Sequence, residues 1–229
     1  MQGKLYVLDG LDGCGKSTQT EHVAEELRKR GEIVQVISFP DYKEPSSALV
    51  RMYLNGEFSE DPAGVNAYAA SLFYAVDRYA SFKKFWEKSY QDGMTILATR
   101  YVSSNAIHQM GKLPQSEWAA YLEWLDDLEY QKIGLPRPNQ IIFLDMNRDV
   151  ADRLILNRYH GDEFKKDIHE KNRQYLKQCQ ETAAYAAEQG GWSIIRCDDG
   201  HDPLPVEKIT NQILAAIDRG MKSNKESEC

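Results

Sequence analysis

The chain has 229 residues, 42% of them hydrophobic and 28% charged, and a formal net charge of -7. That length allows one α/β domain with a well-buried core, or two small ones. The acidic balance excludes a general binder of nucleic acid or of anionic membrane surfaces, which needs a basic face, and no apolar run approaches the roughly 20 residues of a membrane span.

Leu5-Tyr6-Val7-Leu8 is a short apolar run of strand type, and Ser17 to Arg30 fits a helix that Gly31 stops. Ile33 to Ile37 predicts a second strand, left through the loop Ser38-Phe39-Pro40-Asp41-Tyr42. Pro45-Ser46-Ser47 starts a short helix, with Ser46 or Ser47 as its cap. A long aromatic helix is expected from about Ala63 to Ser89. Its aromatic residues point in several directions, which predicts burial by a second subunit as well as by the core. Met94 to Ala98 predicts the third strand, ending at Thr99-Arg100-Tyr101, and a short helix follows from about Ser104 to Met110. The next helix spans Glu117 to Tyr130, and Gly134-Leu135-Pro136-Arg137-Pro138 breaks the chain. Ile141 to Leu144 predicts a fourth strand and Asp149 to Asn157 a helix. Residues 158–167 are polar and lack apolar periodicity, so they read as a lid. A helix from Ile168 to Glu188, a fifth strand from Trp192 to Arg196 and a periodic helix through Val206, Ile209, Ile213 and Ile217 complete the pattern.

Alternating strands and amphipathic helices predict an α/β fold, with a five-stranded parallel sheet covered by helices on both faces. Residues 1–220 read as one domain, and 221–229 as a polar tail. Cys14, Cys179, Cys197 and Cys229 match no metal-ligand spacing and are too few for a disulfide framework. A reducing, cytoplasmic setting is expected, with no leader ahead of the first strand.

The stretch Gly10-Leu11-Asp12-Gly13-Cys14-Gly15-Lys16-Ser17 reads Gly-x-x-x-x-Gly-Lys-Ser, the phosphate-binding P-loop. Its glycines let successive N–H groups point at phosphate oxygens, and the following helix adds its positive end. Lys16 places a charge on the β- and γ-phosphates and Ser17 offers a hydroxyl to Mg²⁺. With a strand before it and a helix after it, the motif predicts a nucleoside triphosphate site. A kinase also needs an acceptor pocket. Arg100, Asn105 and Gln109 follow the third strand, and Phe73 and Arg78 lie on the aromatic helix. A basic phosphate ligand, an aromatic stacking surface and amide groups together describe a nucleotide site. Singly, each has a plainer reading: Phe73 as core, Arg78 as a surface charge or a partner of Asp77, Asn105 as a helix cap.

The order of these features along the chain resembles thymidylate kinases, P-loop kinases of nucleoside monophosphates. The shared features are Gly10 to Gln19, Ser38-Phe39-Pro40, Phe73 with Arg78, Arg100-Tyr101 followed by Ser104-Asn105, and Gly134-Leu135-Pro136-x-Pro138. The resemblance runs from about residue 3 to 217 and implies a three-layer P-loop kinase fold with a short lid. It implies phosphorylation of dTMP to dTDP by ATP with Mg²⁺, and a homodimer is expected through the aromatic helix. Phe73 would stack on thymine, Arg78 and Asn105 would read its edge with Ser104 nearby, and Arg100 would hold the acceptor phosphate. Tyr42 is also assigned to the substrate site. Asp12 would bind the sugar 3′-hydroxyl and help organise Mg²⁺. His108 stands where the family often has an aromatic that discriminates deoxyribose from ribose. The ATP site would comprise Gly10 to Thr18 with Arg153. Gly13 and Cys14 leave the P-loop without an extra base, so Arg158 is expected to act from the lid, with Lys165 and Lys166 as alternatives.

The chain departs from the family at several points. Thr99 replaces the usual Asp before Arg-Tyr, and Asp9 is the expected substitute near Mg²⁺. Asn139 replaces another Asp, Tyr42 and Lys43 stand where an arginine is often found, and Asp167-Ile168 replaces an Asp-Arg pair. An accessible Cys14 thiol would make the loop sensitive to oxidation. The alternative readings are another P-loop nucleotide or deoxynucleoside kinase, or a non-catalytic nucleotide-binding protein of the same fold.

Overall fold

A computed structural model describes residues 2–158 and 168–226. The lid residues expected to carry Lys165, Lys166 and Asp167 lie outside them, as do residues 227–229.

Strands β1 (Lys4–Asp9), β2 (Val34–Ser38), β3 (Thr95–Thr99), β4 (Gln140–Asp145) and β5 (Ser193–Arg196) form one sheet in the order β2-β3-β1-β4-β5. Every pairing is parallel. The apolar run of β1 follows from burial on both faces. Leu5 and Val7 face one cluster with Phe82, Trp86 and Tyr101. Tyr6 and Leu8 face another with Val23, Leu27, Ile213 and Ile217. The second cluster comes from α1 (Lys16–Lys29) and α10 (Val206–Glu226), so helices cover both faces.

The register brings three strand ends together. Leu8 pairs with Thr99, and Ser38 pairs with Thr99 from the other side. The P-loop, the loop after β2 and Arg100 therefore leave the sheet side by side. β1 lies between β3 and β4, where crossovers to either side open a crevice beyond the strand ends.

Several predicted helices are interrupted. The aromatic helix begins later, as α3 (Ala67–Ser81), because the Asn66 side chain accepts from Ala69 N at 2.8 Å and caps it. It then passes through a π-helical stretch, Phe82–Trp86, into α4 (Glu87–Gln91). The helix expected over Glu117–Tyr130 is α6 (Trp118–Asp126) followed by a second π-helical stretch, Asp127–Lys132. Pro45–Ser47 is a 3₁₀ turn leading into α2 (Ala48–Leu54), and neither serine caps it. Ser46 Oγ donates to Asp77 and Ser47 Oγ to the Glu44 carbonyl. Asn172 divides the helix after the lid into α8 (Ile168–Lys171) and α9 (Arg173–Gly190) by accepting from Tyr175 N. The short α5 (Ser103–His108) and α7 (Arg148–Arg158) border the crevice. The expected polar tail is helical through Glu226, as part of α10.

Candidate active site

A cleft of ≈610 Å³ opens at the shared strand ends, between the P-loop, the loop after β2, α3, α5, α7 and α8. Its donor side is built almost entirely from consecutive residues. Gly13 has φ +86°, and a Cβ there would sit 2.6 Å from the Ala151 carbonyl. Only glycine lets the loop lie this close to α7. Lys16 Nζ donates to the carbonyls of Gly10 and Leu11, each at 2.8 Å, which lays the ammonium along the inside of the loop. Ser17 and Thr18 are exposed at the cleft. Thr99 accounts for itself differently from the carboxylate it replaces. Its hydroxyl lies 2.8 Å from that of Thr20, which donates to the Lys16 carbonyl and so ties β3 to the first turn of α1.

Cys14 faces inward. It is 2% exposed within the core cluster of Leu8, Ala151 and Cys197, and burial raises its pKa against the pull of Lys16. The condition for oxidation, an accessible thiol, is not met, and a buried protonated sulfur is a poor nucleophile. Asp9 is also buried, and its oxygens accept from Gly10 N at 2.8 Å, Ser103 Oγ at 2.6 Å and Ser104 Oγ at 2.8 Å. It anchors the P-loop to α5 rather than presenting a carboxylate to a metal. Ser104 is spent on the same contact, although it borders the cleft.

The acceptor side joins distant residues. Arg100 follows β3 with φ +65°, an uncommon backbone for a residue with a side chain. Its Nη2 donates to Asp12 Oδ1 at 2.6 Å and its Nη1 lies 2.9 Å from His108 Nε2. Burial alone would raise the Asp12 pKa, but Arg100 and then Lys16 hold its carboxyl well below the usual range. Asp12 thus stands between Arg100 and Lys16, 3.9 Å from Lys16 Nζ.

Arg78 does not pair with Asp77. Asp77 accepts from Asp41 N and Ser46 Oγ, while Arg78 is buried in a bidentate pair with Glu129, with Nε 2.7 Å from Oε2. Asn105 Nδ2 donates to the same carboxylate at 3.0 Å. Both expected base-reading residues therefore border the cleft as parts of a buried network. Glu129 sits in the second π-helical stretch, and no pattern in the sequence marked it.

The aromatic assignment shifts by one residue. Phe73 packs on Phe58, with ring centroids 5.6 Å apart, and both Phe73 and Tyr74 pack against the cluster of Tyr53 and Leu54. Tyr74 lines the cleft. Tyr74 and Arg78 are four residues apart, one helical turn, and share a face; Phe73 is five apart and does not. That spacing was a signal available in the sequence. Tyr42 lines the cleft at 54% exposure. Arg153 does not line it, and reaches instead to the carbonyl of His201 and to Asp202 at 3.5 Å. Arg148 was not anticipated: its Nη1 donates to the Asp12 carbonyl at 3.4 Å while Asp152 holds the guanidinium. Arg158 ends α7, and its side chain is outside the described residues.

A parallel sheet with a P-loop at one wall of a cleft, and an arginine opposite, fits a P-loop kinase of small phosphorylated acceptors. The comparisons make the family specific. A thymidylate kinase family model matches residues 8–203, and the chain belongs to the thymidylate kinase family. A thymidylate kinase of Mycobacterium tuberculosis is 26% identical over 199 residues, covering 85% of this chain and 92% of that protein. A probable thymidylate kinase of Thermococcus onnurineus is 31% identical over 178 residues, covering 76% and 82%. The solved structure of Candida albicans thymidylate kinase superimposes with a TM-score of 0.71 at 19% identity, over 96% of this chain and 93% of that one. The chain is accordingly a phosphotransferase of the nucleoside monophosphate kinase type. Among the described residues, no helix is long and apolar enough to cross a membrane.

Proposed function

We propose that the chain transfers the γ-phosphoryl group of Mg-ATP to dTMP, giving dTDP and ADP, and that the Arg100–Asp12–Lys16 line is where the two substrates meet. The observation that carries this reading is one cleft with a P-loop cation and a second, half-buried cation on either side of a shared carboxylate. Phosphoryl transfer needs two anions held in line and the moving charge neutralised, with no covalent nucleophile. Lys16 holds the donor phosphates, Arg100 the acceptor phosphate, and Asp12 sets the spacing and meets the acceptor sugar. Tyr74 offers the stacking face for the base, while the Arg78–Glu129–Asn105 network makes a rigid polar floor. Arg158 adds donor charge from the end of α7.

The metal fits at Ser17. Magnesium takes few protein ligands and keeps phosphate and water oxygens, and the Ser17 hydroxyl is exposed beside Lys16 while Asp9 is committed elsewhere. When bound, the ion spreads the triphosphate charge.

A second copy of the chain is the partner we assign to α3. Leu72, Val76 and Tyr79 recur at helical spacing on its outer face and are 43%, 54% and 42% exposed, which supports a homodimer. Residues 1–220 act as one domain, and the three cysteines that are free and buried among the described residues support a reducing, cytoplasmic setting.

Incubation with Mg-ATP and dTMP, followed by anion-exchange separation, should give dTDP and ADP in equal amounts. The Thr99 substitution favours one other reading, a binding protein without turnover. Thermal stabilisation by both nucleotides with no ADP formed would establish that reading instead.

A further inference from the structure

Asp77 is a buried carboxylate for which phosphoryl transfer itself has no use. It is 1% exposed on α3, and its neighbour Arg78 is taken by Glu129. Its oxygens accept instead from Asp41 N at 2.9 Å and from Ser46 Oγ at 2.6 Å. Burial raises the Asp77 pKa in spite of both bonds. Burying a carboxylate is costly, and its hydrogen bonds are roughly twice as strong as neutral ones. The fold therefore spends a charge on holding these two donors.

Both donors belong to one segment, residues 40–47, which joins β2 to α2. Arg51 meets the acceptors of that segment from α2. Its Nη1 donates to the carbonyls of Tyr42 at 3.0 Å and Glu44 at 3.2 Å, and to Ser47 Oγ. The segment also closes on itself, with Glu44 N bonded to the Asp41 carbonyl and Ser47 N to the Glu44 carbonyl. The exposed pair of Lys84 and Glu44 adds little. Connecting segments ordinarily leave such backbone groups to water and move. Here an anion from α3 gathers the donors and a cation from α2 gathers the acceptors, which makes a fixed lip. The lip borders the cleft through Pro40 and Tyr42, and Tyr42 is near enough to Arg100 for its phenol to act on the guanidinium. Phe39 N donates to the Thr99 carbonyl at 3.0 Å, so the segment leaves the sheet beside Arg100.

We infer that Asp77 is a positioning residue for the acceptor: with Arg51 as its counterpart, it fixes residues 40–47 as a lip that keeps Tyr42 against the bound nucleoside monophosphate. Neither Asp77 nor Arg51 lines the cleft, so both act through the lip. The inference rests on the cleft being the dTMP site.

The test is calorimetric titration of dTMP and of ATP into the full chain, as wild type, Asp77→Ala, Asp77→Asn, Ser46→Ala, Arg51→Ala and the double variant of Asp77→Ala with Ser46→Ala, each first checked by thermal unfolding. Asp77→Ala releases both bonds and should bind dTMP about tenfold more weakly, and Ser46→Ala and Arg51→Ala should each lose about threefold. Asp77→Asn keeps an acceptor for Asp41 N and a donor for Ser46 Oγ, so it should stay within about threefold of wild type. Ser46→Ala should add nothing in the Asp77→Ala background, because the two share one bond. ATP affinity should move by less than about twofold, and steady-state kinetics should place the loss in KM for dTMP rather than in kcat. If Asp77→Ala does not fold, Ser46→Ala and Arg51→Ala carry the test, each with about threefold weaker dTMP binding. Unaltered dTMP affinity in folded Asp77→Ala, or in both Ser46→Ala and Arg51→Ala, overturns the inference, as do equal losses for dTMP and ATP. A wild-type chain that binds ATP but no dTMP overturns the substrate reading as well.

Discussion

The two sides of the cleft are built by opposite means. The proposed donor side is eight consecutive residues that would bind through their backbone, so its form depends on local geometry such as Gly13 against Ala151. The acceptor side is assembled from β3, α3, α5, α8 and a π-helical turn, and its side chains work in pairs: Arg100 with Asp12, Arg78 with Glu129, His108 with His169. On the proposed reading the donor side is a general triphosphate cradle, and selectivity would reside in contacts that exist only in the folded chain.

The contrast is sharpest at Lys16. Lys16→Ala should reduce kcat by about 10³-fold or more, as expected for a cation neutralising the transferred group, with near-normal unfolding temperature; steady-state rates and calorimetry check both. Glu129→Ala is the counterpart on the acceptor side. It leaves Arg78 as an uncompensated buried charge, so it should cost about 3–5 kcal/mol of stability, read by denaturant unfolding, while a paired replacement of Arg78 and Glu129 by apolar residues should recover much of that loss. Arg100→Ala should lower kcat/KM for dTMP by about 10²-fold and leave KM for ATP nearly unchanged; an equal loss for both substrates would erase the division between the two sides.

The smallest effect is a pH dependence. An unfolded imidazole titrates near 6.5, whereas burial first, then Lys112, push the His169 pKa down to about 3. Between these values the unfolded chain binds the extra proton, so stability falls as the pH drops from 6.5 towards 3. His169→Phe should make the decline in melting temperature over that window shallower, and an unchanged slope would show that His169 titrates normally.

What was legible in the sequence follows the same division. The strand, P-loop and helix of residues 4–29 were evident because motif, periodicity and glycine placement are all local. The parallel sheet followed from alternating elements, but the breaks at Asn66 and Asn172 turned on single capping side chains inside otherwise continuous helical patterns. The acceptor side was readable only in part. Arg100 announced itself at a strand end, whereas Glu129 lies 51 residues from Arg78 on a helix that reads as an ordinary amphipathic one. Phe73 and Tyr74 differ by one step of helical phase, which decides which of the two also lines the cleft. His169 lies in a four-residue helix, where periodicity carries no information.

Selectivity set by the folded acceptor side is tested most directly by titrating dTMP into Tyr74→Ala and Phe73→Ala in parallel. Removing a stacking aromatic costs about 1–3 kcal/mol per base, so Tyr74→Ala should bind dTMP at least about fivefold more weakly with its fold intact. Phe73→Ala should lose stability from its cluster with Phe58 and keep its dTMP affinity. Weaker dTMP binding in Phe73→Ala, with Tyr74→Ala unaffected, would contradict this account.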